Sequence, residues 1–114
     1  MLTYALFAFV VAAIAGLILA SFVLRGNFAP WMLSLLHAAV GAAGLILLGF
    51  GVLQGADGRS LIAFGALLVA ALAGFYLAFL HLREKVAPSG AVIGHAGAAV
   101  LGVVLLAGTI LKFL

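Results

Sequence analysis

Two heptapeptides decide the fold of this chain: LRGNFAP at 24–30 and LREKVAP at 82–88. They lie 58 residues apart. Sliding the sequence on itself by that interval, without a gap, makes 19 of the 56 pairs from Met1/Arg59 to Ala56/Leu114 identical. The matches include residues that an aliphatic bias alone would not pair. Gly16 falls on Gly74, Arg25 on Arg83, Pro30 on Pro88, His37 on His95 and Gly44 on Gly102.

Outward from each heptapeptide the chain is apolar. Four runs, 2–24, 31–53, 61–82 and 90–111, contain no charged residue, and each reaches the roughly 20 residues that a helix needs to cross a hydrocarbon layer about 30 Å thick. Of the 114 residues, 69% are hydrophobic and 6% charged, with mean hydropathy +1.53. A soluble domain carries about a quarter charged residues, so the solvent for this surface is lipid. The connections at 25–30, 54–60 and 83–89 hold most of the charged and turn-forming residues. They are too short to let neighbouring helices run any way but antiparallel. Pro30 and Pro88 stand where a helix starts, a position at which a missing N–H costs nothing. The expected fold is all-α: one integral membrane domain over 1–114, a four-transmembrane-helix bundle. It is built from two tandem helical hairpins, 1–56 and 59–114, that enter the membrane from the same side. The halves are then related by a pseudo-two-fold axis along the membrane normal.

The same residues exclude several classes of function. No cysteine is present, which removes disulfides, thiolate metal sites and cysteine nucleophiles. The net charge of +3 comes from five basic residues against two acids, too few and too scattered for a nucleic-acid surface. Both acids, Asp57 and Glu84, fall in connections, so no nucleophile–base–acid set exists and hydrolytic chemistry is excluded. The first run lacks a basic segment ahead of it and is expected to span the membrane rather than act as a signal peptide. Arg25, Arg83 and Lys85 mark one membrane side, Arg59 and Lys112 the other. The positive-inside rule therefore sets both termini on the non-cytoplasmic side. Trp31 and Tyr4, near span ends, read as interfacial anchors.

Within the apolar runs, His37 and His95 are the residues able to ligate or titrate, and the repeat puts them at equivalent positions of the second and fourth helices. An intramembrane ionisable group marks function by default. Residues four and seven positions on share the histidine's helix face: Gly41 and Gly44 in one half, Ala99 and Gly102 in the other. Two facing imidazoles beside grooves without side chains are what a bis-histidine haem requires, each ring giving the iron one axial nitrogen. Arg25 and Arg83, a symmetric pair on the same membrane side, are placed to meet its propionates, with Lys85 in support. Interhelical hydrogen bonding by the histidines, or a quinone or metal ion in place of haem, are the other readings of this pair. Ser34, three residues before His37, is a candidate to orient that ring. His81 reads as an interfacial residue or a quinone or propionate contact, and Tyr76 as a deeper hydroxyl that needs a partner.

With the histidines, glycines and arginines in hand, the chain resembles bis-histidine four-helix membrane b-type cytochromes at the level of these motifs. It also looks like small uncharacterised four-helix bacterial membrane proteins. The resemblance implies one haem b, with His37 and His95 as axial ligands, and single-electron transfer in a bacterial inner membrane. A quinone or a redox protein would then be its partner. Where those cytochromes often carry four ligands, this chain completes one pair only, since His81 has Val23 as its repeat mate. The alternative is a non-catalytic accessory subunit of a larger membrane complex or homo-oligomer, with the histidines bonding between helices.

Overall fold

The computed structural model describes residues 2–55 and 58–112, and within them the chain forms four helices: α1 (Leu2–Leu24), α2 (Trp31–Leu53), α3 (Gly58–Leu82) and α4 (Ser89–Leu111). All four are long and apolar enough to cross a membrane. A 23-residue helix such as α1 is about 34 Å long at 1.5 Å per residue, slightly more than the hydrocarbon thickness. α4 starts at Ser89, directly after Pro88, and α3 starts at Gly58, three residues ahead of the apolar run, with Ser60 fully buried in its first turn. Asp57, assigned from sequence to the second connection, lies outside the described residues.

The turns after α1 and α3 are built alike. Gly26 N–H donates to the Val23 carbonyl at 2.9 Å and Asn27 N–H to Phe22 at 3.0 Å, while Glu84 N–H donates to His81 at 3.1 Å and Lys85 N–H to Leu80 at 2.9 Å. These are paired bonds of the Schellman type, which satisfy the last carbonyls of a helix and need one residue in the left-handed region. Gly26 fills that position at φ 78° without strain; Glu84 fills it at φ 56° with a side chain attached. Pro30 and Pro88 then cap α2 and α4 in extended conformation, at ψ 132° and 144°.

α1 packs most extensively on α2 and α3 on α4, with lesser contacts between α1 and α4 and between α2 and α3. No Cα of α1 comes within 8 Å of α3, nor any of α2 within 8 Å of α4. The helices therefore stand at the corners of a square, with α2 and α4 on one diagonal. The tightest core, Ala5, Phe9, Leu48, Ala63, Leu67 and Leu106, occupies one end of this bundle. Alanines line much of the rest of its inside, while large residues such as Met32 (79% exposed) and Leu53 (84%) face outward. This is the reverse of a soluble fold. It is the arrangement expected where lipid is as apolar as leucine and close backbone approach drives packing.

Candidate functional site

His37 and His95 meet across the α2–α4 diagonal, their ring centroids 6.0 Å apart and their planes at 82°. Side chains alone carry this contact, since the two backbones stay apart. Each ring is held by the neighbouring helix in the same way. His37 Nδ1 lies 2.8 Å from the carbonyl oxygen of Ala12, and His95 Nδ1 lies 2.7 Å from that of Ala70. A carbonyl carries no proton, so Nδ1–H is the donor in both, and the lone pair sits on Nε2. Anchoring Nδ1 on the Ala12 carbonyl lays the His37 ring along α1, with Nε2 3.8 Å from the position a Cβ would take on Gly16.

Room for each ring comes from a glycine. A Cβ built on Gly16 would stand 3.0 Å from Cε1 of His37, and one on Gly74 would stand 3.1 Å from Cε1 of His95. Sequence reasoning did not assign these two glycines or the carbonyls of Ala12 and Ala70 to the site. The signal was present, because both pairs match at the 58-residue interval. Ala12 and Gly16 bracket the middle of α1, so the rings are deep in the bundle. Ser34, the candidate orienting group for His37, is replaced in that role by the Ala12 carbonyl.

The four small residues beside the histidines divide into two kinds. Gly41 has open space where its Cβ would stand, and Ala99, its counterpart, is half-buried. Gly44 and Gly102 are filled: the Phe9 ring covers the first, at 2.9 Å from a built Cβ, and the Leu67 side chain covers the second. Phe9 and Leu67 are themselves 58 residues apart. Gly44 and Gly102 thus serve the packing of α1 on α2 and of α3 on α4, and of these three glycines Gly41 has open space at its Cβ position.

Arg25 and Arg83 are both exposed, and each guanidinium lies over a ring of its own helix, Arg25 at 5.4 Å from the Phe22 centroid and Arg83 at 5.6 Å from Phe79. Arg25 Nε also donates to the Ser21 carbonyl at 2.7 Å. Tyr76, five residues before His81 and deeper in the span, is exposed on the outside of α3. His81 stacks on Trp31, centroids 3.8 Å apart and planes within 6°. Trp31 is therefore a partner of α3 as well as an edge residue.

Two imidazoles that share one metal centre at metal–nitrogen distances of about 2.0–2.1 Å hold their centroids roughly 6 Å apart, which is the separation found here. Ligating histidines almost always donate their other N–H to a carbonyl or carboxylate, as both do here. The donor set and its spacing would suit a haem iron or a bare metal ion, which His37 and His95 would hold through their second ring nitrogens. Among the described residues there is no group of three or more His, Cys, Asp and Glu that could hold a metal ion. No protein-family model matches the chain, and neither does any curated protein or solved structure.

Proposed function

We propose that this chain is a membrane electron carrier that holds one haem b between His37 and His95. The observation that carries the reading is the duplicated anchoring of the two imidazoles: the same Nδ1–H to carbonyl bond in each half, with the rings 6.0 Å apart on the bundle diagonal. When bound, haem supplies reversible one-electron exchange at its iron. The chain's own part is to hold two imidazoles in one tautomer through the Ala12 and Ala70 carbonyls and to keep water from the site with alanine and lipid. Gly41, one turn on from His37, has open space at its Cβ position, and Arg25, Arg83 and Lys85 are the groups at the membrane edge able to meet propionates.

We further infer that the fold arose as two tandem hairpins, 1–56 and 59–114, related by an axis along the membrane normal in a bacterial inner membrane. Contacts that recur at a 58-residue interval support this: Ala12–His37 with Ala70–His95, Gly16 with Gly74, and Phe9–Gly44 with Leu67–Gly102.

The test of the haem reading is titration of haem into the protein in maltoside micelles. Binding should saturate at one haem per chain and weaken steeply in His37→Ala and in His95→Ala, but not in His81→Ala. A second reading, an accessory subunit whose histidines only tie helices together, is favoured by the filling of Gly44 and Gly102 by Phe9 and Leu67. It predicts no saturable binding in any of the four proteins.

A further inference from the structure

The two halves differ most in chemistry at one corner of the bundle. Phe28, Trp31, His81 and Glu84 have as repeat mates Val86, Ser89, Val23 and Gly26, so every aromatic, imidazole or acidic group of the first set is lost in the second. These four residues come from the first connection, the start of α2, the end of α3 and the third connection, yet they line one open cleft of about 630 Å³ together with Ala29 and Pro30. Trp31 and Phe28 both lie parallel to the His81 ring, at 3.8 and 5.9 Å between centroids. Nothing in the haem reading uses this cleft.

Glu84 decides its chemistry. Arg83 and Lys85 flank it in sequence, but Glu84 makes no ion pair among the described residues, and the Arg83 guanidinium lies over Phe79 instead. Glu84 is thus an exposed residue of the cleft lining, with no ion-pair partner among the described residues. It is held there by a left-handed backbone, φ 56°, where the other half uses glycine, a conformation that costs a residue with a side chain and tends to persist where a site requires it. No lysine or arginine lines the cleft. A carboxylate beside aromatic faces, at the level of the lipid headgroups, recognises a weakly hydrated organic cation. Two possible donors, His81 and Glu84, are too few for a metal ion.

We propose that the cleft of Phe28, Trp31, His81 and Glu84 binds an alkylammonium group, such as the choline moiety of a lipid headgroup or of a free amine. Trp31 is the chain's one tryptophan, so its emission reports this site without labelling. The experiment is a titration with choline chloride of the protein in maltoside micelles, against sodium chloride at matched ionic strength. Wild type should show a saturable change in Trp31 emission. The half-point should rise by about tenfold or more in Glu84→Gln, from the loss of one charge contact, and likewise in Glu84→Gly, which keeps the turn by copying Gly26. Lys112→Gln, after the far end of α4, should titrate as wild type. An identical response to sodium, or unchanged half-points in both Glu84 variants, overturns the proposal. In nanodiscs, a choline half-point raised by phosphatidylcholine relative to phosphatidylglycerol assigns the site to a lipid headgroup, and an unchanged one assigns it to a free amine. Because the readout needs no haem, failure here leaves the haem reading untouched, and the reverse also holds.

Discussion

Gly16→Ala and Gly41→Ala add the same methyl group to two membrane helices, yet the packing around them gives the two changes opposite signs. At Gly16 the new Cβ stands 3.0 Å from Cε1 of His37, whereas carbon atoms in contact rest at about 3.5–4.0 Å. The ring must therefore give by a few tenths of an ångström. That shift strains its 2.8 Å bond to the Ala12 carbonyl. An interhelical hydrogen bond in a membrane protein contributes about 0.6 kcal/mol on average and up to about 1.7, and overpacking adds about 1–3 kcal/mol. Better helix propensity offsets about 1 kcal/mol of this. Gly16→Ala should destabilise the protein by about 1–3 kcal/mol. Gly41→Ala meets nothing within 4 Å and should stabilise it by up to about 1 kcal/mol. Unfolding of haem-free protein in mixed maltoside and dodecyl sulfate micelles, followed by far-UV circular dichroism, measures both. In a His37→Ala background the cost of Gly16→Ala should vanish, because the ring it strikes is gone. Equal effects of the two glycine changes, or a Gly16 cost that survives removal of the ring, would refute the reasoning.

Phe9→Ala should cost about 3–5 kcal/mol in the same assay, since it empties the buried seat over Gly44; a loss below 1 kcal/mol would remove Phe9 from the core. Single cysteines at Asn27, Gly58 and Ser89, in a chain without native cysteine, should label with an impermeant reagent from one side at 27 and 89 and from the other at 58. Labelling of 27 and 89 from opposite sides would overturn the four-span topology. Arg25→Gln and Arg83→Gln should each lower the midpoint potential of the haem-loaded protein, because each removes a cation able to offset a propionate. An unchanged midpoint would instead leave both guanidinium groups over the rings of their own helices.

The four helices were legible because lipid imposes a simple demand, an uninterrupted apolar run of fixed length. The residues that end the helices, Leu24, Leu53, Leu82 and Leu111, fall where charge or a turn former follows. The pairing of His37 with His95 was legible from the repeat. What holds them was not, since the acceptors are the backbone carbonyls of Ala12 and Ala70, and a carbonyl has no sequence signature. Gly44 and Gly102 misled for a related reason: a glycine face reads the same whether a cofactor or a side chain of the next helix will fill it. The stack of Trp31 on His81 joins residues 50 positions apart, from different halves and without repeat mates of their kind. Neither periodicity nor duplication could reveal it. Glu84 is a similar case, because a left-handed turn is ordinarily read from glycine or asparagine.

The measurement that bears most directly on the central claim is the reduced-minus-oxidised absorption spectrum of protein purified from cells with ample haem. The anchored pair His37 and His95 predicts a low-spin, six-coordinate b-type spectrum. Alanine at either position should abolish it or turn it high-spin, and His81→Ala should leave it unaltered. A colourless protein that stays colourless when haem is added would contradict the account and leave the two histidines as ties between helices.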